Sequence, residues 1–474
     1  MSTQGPKPPA PLPTAPAAHP GAARPSFGTA LSVFSNRHYR LLWTSSLFSF
    51  TGMQMQQVAR ALLAWDLTHS FGAVGAISLS FGLPMLVFSL IGGSLADRFE
   101  KRNLTLASQV VTGALALVNA VMVATGTITF EWLFVLGLFG GTSMALGMPA
   151  RTPLMAQVVG PESVMSAIAM SNAAMNATRL FGPAVAGAMV GLWDLESVYF
   201  AQAGFYVLSC LTLLMVPTGL GREVEGGPMI RPRSSMFREI GAGVRYVATD
   251  PSLRMLNGMM VIVSLFAMPY VMLLAGFVHE DLHRGAGAFG MLQSVSGVGA
   301  LVGSLGIATL TAFDRKGLVQ WLSGLVGGAA LIGLALGSSA FGFAGAVGAI
   351  AVLGLALTAY QTLNSTMIMD VTRPDYYGRV MSINMLSFSI MPLMAYPMGE
   401  IADVVGARET FVAQGLLVIG FMGIAAMVNP RYTFGKLTAP IRQGWTGPGT
   451  AFRGGGHAEA REVGEEAATA GGGS

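Results

Sequence analysis

Ile91-Gly-Gly-Ser-Leu-Ala-Asp97-Arg98-Phe-Glu-Lys101-Arg102 joins two long apolar stretches, about 72–96 and about 103–126. Three cations crowd a loop barely long enough to turn the chain. Each flanking stretch reaches the ~20 residues that carry a helix across the bilayer hydrocarbon, and a short basic loop between two such stretches marks the cytoplasmic side. Outward from this loop, further stretches recur at about 40–66, 130–156, 164–190, 195–217, 252–279, 286–312, 317–337, 341–369, 377–404 and 408–429. The expectation is twelve membrane-spanning helices.

Basic residues sort with that count. Placing both termini in the cytoplasm puts 22 Lys and Arg in inner loops and tails and only Arg284 and Arg408 outside, leaving Arg60, Arg151 and Arg179 in or beside helices. A wrong number of spans would scramble this asymmetry. Composition agrees: of 474 residues, 52% are hydrophobic and 11% charged, less than half the roughly 25% charge of a soluble domain. Disorder needs the opposite balance, and the single cysteine, Cys210, excludes a disulfide framework. The net charge of +4 follows from topology, so no nucleic-acid partner is expected.

The chain repeats itself. Asn36-Arg-His-Tyr-Arg40 matches Asp250-Pro-Ser-Leu-Arg254 at an offset of 214, and Asp66 with Gly72 and Gly75 matches Asp281 with Gly287 and Gly290 at 215. A near-constant offset predicts two six-helix halves in parallel, related by an axis along the membrane normal. The expected plan is a tail at 1–30, a half at 31–217, a linker at 218–251, a half at 252–430 and a tail at 431–474, both tails disordered and cytoplasmic. Within the linker, Phe237, Ile240, Val244 and Val247 recur at helical spacing, which predicts an amphipathic helix at the membrane surface.

Gly93-Ser-Leu-Ala-Asp97-Arg98, with Lys101 and Arg102, resembles the signature loop of the major facilitator superfamily. Asp314-Arg315-Lys316 is similar to its degenerate second copy. Glu100 stands where the pattern usually has Gly. Met55-Gln-Gln57, Trp65-Asp-Leu-Thr68, Pro149-Ala-Arg151 and Gly378-Arg379-Val380 resemble the drug and siderophore exporters of that family, over roughly 31–430. The resemblance implies an all-α membrane protein of the major facilitator fold in the plasma membrane. It would export an amphipathic small molecule by alternating access with proton antiport. A siderophore or lysolipid exporter, or a non-transporting sensor or scaffold, are the alternatives. Without a phosphate loop or a Cys/His ligand set the chain is expected to be no enzyme, to use no cofactor and no metal, and to work as a monomer among lipids.

Candidate roles follow. Gly93, Asp97, Arg98, Arg102, Asp314 and Arg315 are gating candidates, Gly93 by letting a neighbouring helix approach and Asp97 by accepting hydrogen bonds from a facing helix end. Arg60 lies inside span one, where an ionised side chain is costly unless it faces a cavity or a partner. Gln56 and Gln57 precede it by one turn. Asn172, Asn176 and Arg179 form one stripe on span five at i, i+4 and i+7. In the second half, Asn257, Gln293, Tyr360, Asn364 and Asn384 are cavity candidates, with Gln361 beside Tyr360. For proton coupling the candidates are Asp97, Glu131 and Glu400.

Overall fold

The computed structural model describes residues 31–219, 236–309, 315–372 and 390–430, together with 376, 379–381, 383–384 and 387. The tails expected at 1–30 and 431–474, and Asp314, lie outside the described residues.

Both halves start alike. Asn36 accepts hydrogen bonds from the backbone N–H groups of His38 (2.9 Å) and Tyr39 (3.2 Å), capping α1 (Arg37–Thr68). Asp250 accepts from Ser252 (2.8 Å) and Leu253 (3.2 Å), capping α8 (Pro251–Phe266). An Asx side chain satisfies the orphan donors of a first turn, so the repeated Asn36/Asp250 anchor marks the same structural event twice. In the first half follow α2 (Phe71–Arg98), α3 (Lys101–Ala124), α4 (Phe130–Val159), α5 (Val164–Leu192) and α6 (Leu195–Leu214). The second half continues from α8 through α9 (Tyr270–Glu280) and α10 (Ala286–Thr309). Lys316–Val371 is a helical run broken at Gly342, whose φ of 57° turns α11 (316–341) back as α12 (343–371). Only glycine takes that conformation without strain. Last come α13 (Met391–Val405) and α14 (Ala407–Val428).

By length and apolarity, eight helical runs among the described residues qualify to cross a membrane, the broken 316–371 run counting as one and α8 with α9 as another. Helices α1 and α5 are long enough but fail on apolarity, and they are the two helices that carry the polar stripes.

The packing repeats as well. In the first half α2 packs on α4 and α3 on α6; in the second, α10 packs on α12 and α11 on α14. Between halves, α2 meets α13 and α5 meets α10, pairing the second helix of each half with the fifth of the other. That reciprocity is what a pseudo-two-fold axis requires.

The linker helix α7 (Met236–Thr249) forms where the apolar spacing predicts it. It docks on the second half: Tyr246 and Val247 are buried with Leu253, Leu256, Met367 and Val380, and the Tyr246 ring stacks on Tyr376 at 4.3 Å. Val244 stays exposed, and the side chains of Phe237 and Ile240 lie outside the described residues.

Candidate functional site

Among the described residues, the main contacts between the halves run toward the end remote from the chain termini. There α5 and α10 run backbone to backbone: a Cβ on Gly187 would sit 2.7 Å from the Cα of Gly290. At the tip, the Asp403 carboxylate of α13 accepts hydrogen bonds from the Ser70 hydroxyl (2.7 Å) and the N–H groups of Phe71 (2.6 Å) and Gly72 (2.9 Å). It thus caps the positive end of α2 from the opposite half. Nearby, Trp65 and Phe71 close over Gly276 of α9.

At the other end, the described residues around the signature loop make no such seam. Gly93, expected to let a neighbour approach, faces open space, and a Cβ there would meet nothing within 4 Å. Gly92 takes the packing role instead, against the backbone of Ala145 on α4. Arg98 and Arg315 are exposed. Arg102 is buried and caps α6, donating to the carbonyls of Leu213 (3.3 Å) and Leu214 (2.9 Å). Asp97 stands in the last turn of α2, and its side chain lies outside the described residues. Glu100 accepts from Gly219 N–H (2.9 Å) and the Asn103 amide (2.8 Å).

Between the halves lies a cavity of about 250 Å³. The first half contributes Gln54, Gln57, Asn176 and Arg179. The second contributes Met268, Tyr270, Gln293, Ser296, Thr358, Gln361 and Met391. Asn176 and Arg179 are accessible from the lumen. Arg179 has no acidic partner among the described residues, and Tyr270, whose hydroxyl pairs with Ser296 at 3.0 Å, stands close enough to feel its charge.

The remaining candidates go elsewhere. Gln56 and Gln57, expected on one side of α1, are split between compartments. Gln57 faces the central cavity, whereas Gln56 faces a pocket inside the first half. One residue is 100° of rotation on a helix, enough to cross between them. Arg60 is also turned into the first half, its guanidinium 4.5 Å from the Phe81 ring centroid and its Nη1 buried without a hydrogen-bond partner. Asn172 is exposed but does not line the cavity. In the second half, Asn364 accepts from Gln320 Nε2 (2.8 Å) in the bundle interior, with Tyr360 beside them. Asn257 donates to Leu253 O on its own helix (2.9 Å), and Asn384 is buried. Glu131 is exposed in the first turn of α4, and Glu400 is exposed beside Gly72 at the far end.

Met268, Tyr270 and Ser296 escaped the sequence reading. A signal was present: Pro269 interrupts an apolar stretch, α8 ends at Phe266 and α9 begins at Tyr270. Broken backbone at membrane depth is tolerated where it lines a cavity. Asp403 carried no signal, because its partners lie over 330 residues away in the chain.

The model of the family described as "Transmembrane secretion effector" matches residues 28–442. The chain belongs to this branch of the major facilitator superfamily. Among curated relatives of this secretion-effector chain, the MFS-type transporter YfiS of Bacillus subtilis is 24% identical over 78% of the chain and 87% of its own length. The staphyloferrin A transporter of Staphylococcus aureus is 21% identical, covering 82% and 96%. The enterobactin exporter EntS of Shigella flexneri is 25% identical, covering 62% and 68%. In fold, the chain is similar to a bacterial homologue of the lysosomal transporter Spinster in an inward-facing conformation, with TM-score 0.67, 14% identity and coverage of 88% and 100%. It is thus a multi-pass membrane transporter of this family, working on a small-molecule substrate in a lipid environment.

Proposed function

We propose that this transporter exports an amphipathic, anionic metabolite of the siderophore class by alternating access coupled to inward proton flow. One observation carries the reading. The cavity between the halves presents the Arg179 guanidinium, without an acidic partner among the described residues, amid carboxamides, with Met268, Val271, Leu357 and Met391 on its walls. A fork of N–H donors suits carboxylate-type or catecholate-type oxygens, and thioether and aliphatic walls take the apolar remainder. The names of the staphyloferrin A and enterobactin relatives point to the same class.

With both termini taken as cytoplasmic, the far end is the outer face, and the α2–α13 and α5–α10 seams close it. Export then requires the α2–α13 and α5–α10 seams to part while the loop around Gly93, Asp97 and Arg98 closes. Gly93, bare in this conformation, has room to receive a neighbour in the other. Asp97 is the proposed proton carrier, with Glu131 and Glu400 the other carboxylates in question. The chain is proposed to act as a monomer.

The test is substrate-dependent proton release in inside-out vesicles, offering ferric-free staphyloferrin A, enterobactin and a panel of cationic drugs. Transport of an anionic chelator that is lost in Arg179→Gln is expected, with proton release lost in Asp97→Asn. Movement of cationic drugs alone would overturn the anionic reading, and transport indifferent to uncouplers would overturn antiport.

A further inference from the structure

We propose that the interior of the first half holds a binding site for a small monovalent anion on Arg151, separate from the central cavity. Arg151 lies on α4 between Pro149 and Pro153. Its Nη2 donates to Ser49 Oγ at 2.8 Å, and its guanidinium lies 5.0 Å from the Phe50 ring centroid. The Ser49 hydroxyl proton is directed to Ser46 O at 3.1 Å, so its oxygen is oriented as an acceptor. One hydroxyl and one ring face leave most of the five guanidinium N–H donors unused. No acidic side chain among the described residues pairs with it.

The space beside Arg151 is a pocket of about 30 Å³ lined by α1, α2, α3, α4 and α6, and it shares no lining residue with the central cavity. That is room for one or two water-sized species, too little for an exported metabolite but enough for a halide or one carboxylate group. Its wall also presents Gln56 and Gln109. The hydroxyl protons of Thr105, Ser108 and Thr112 are committed to backbone carbonyls, and the Gln109 amide nitrogen is committed to Ser45 Oγ at 3.4 Å, which leaves its oxygen unpartnered. The arginine and the Gln56 carboxamide therefore supply the donors toward the pocket. Phe81 lines the pocket on one side and lies under Arg60, so a second unpaired cation adds to the positive potential. Arg151 is half-buried inside the bundle; a charge held in a protein interior without a counter-charge is costly, and an anion resolves it. Chloride from solution and a carboxylate arm of a substrate share this chemistry.

The intact protein in neutral phosphatidylcholine nanodiscs is titrated with sodium chloride and, separately, sodium acetate, replacing sodium gluconate at constant ionic strength, and Tm is followed. A saturable rise in Tm with chloride assigns a free inorganic anion, and a rise with acetate alone assigns a carboxylate. The rise is expected to vanish in Arg151→Gln and to need about ten times more anion in Arg151→Lys, which keeps the charge and loses the fork. Should Arg151→Gln not fold, Ser49→Ala and Arg151→Lys carry the comparison. No saturable rise with either anion, or an unchanged titration in Arg151→Lys, overturns the site. Arg179→Gln should titrate as wild type, and since no transport is read, failure of the export reading leaves this test intact.

Discussion

In the first half, Arg60 and Arg151 stand inside the helix bundle against Phe81, Phe50 and Ser49, with no acidic partner among the described residues. Among the described residues of the second half the comparable interior is neutral: Gln320 donates to Asn364, and Asn257 to its own helix. The ion pairs of the second half sit at its ends. Lys316 meets Asp370 at 2.7 Å and Arg408 meets Asp281 at 3.0 Å. Burial raises the Asp281 carboxyl above the usual aspartate range, against the pull of Arg408. Two halves of one fold, with matching caps and matching helix pairs, have been filled with different electrostatics. The repeat preserves the way the helices pack and leaves the side chains inside free to diverge, so fold symmetry gives no licence to carry a site from one half to the other.

That contrast can be broken or sharpened by substitution. The largest effect is expected at the boundary between the halves. Arg179→Gln should lower kcat/KM for an anionic substrate by about 30-fold or more, because losing one partner of a desolvated charge contact costs about 2–5 kcal/mol; vesicle uptake rates measure it. The seam comes next. Asp403→Ala removes a charged acceptor shared by three donors, each such bond contributing about 1.5–3 kcal/mol and not additively. Ser78 of α2 lies against Met272 of α9 across the seam, its hydroxyl 2.7 Å from the thioether; labelling of a Ser78→Cys reporter in a Cys210→Ser background should then accelerate about tenfold, as the far end opens more often.

Inside the halves the signs should be opposite. Arg60→Met should raise Tm in detergent, since it deletes an unpaired buried cation, while Gln320→Leu should lower stability by about 1–3 kcal/mol by stranding the Asn364 carbonyl. Destabilisation by both would remove the proposed difference between the interiors. The smallest effect is expected from Lys316→Ala. Its partner is largely exposed, and an exposed pair contributes about 0–1 kcal/mol, so Tm should stay within error.

Features that rest on neighbours in sequence were legible. The repeat anchored at Asn36 and Asp250, the linker helix and the helix carrying Asn172, Asn176 and Arg179 depend on spacing within a few turns. That the two anchors are caps appeared only in the structure, and of the stripe Asn172 does not line the cavity. What escaped depends on rotation or distance. Gln56 and Gln57 diverge because a helix axis settles its orientation only by packing. Gly93 is bare because no side chain or helix packs within 4 Å of it, which depends on how helices are placed rather than on composition. Tyr270 and Ser296 converge on Arg179 only because α5 and α10 pack at the Gly187–Gly290 contact.

By itself the order of residues determined a membrane-embedded, two-fold repeated bundle, because hydropathy, loop charge and capping act locally and are unavoidable once a lipid solvent is chosen. Only the tertiary structure decided which cations face a lumen, which lie inside a half, and that Asp403 caps a helix of the opposite half. Those outcomes depend on relative placement of helices hundreds of residues apart, where a shift of one residue along a helix turns a side chain toward a different compartment.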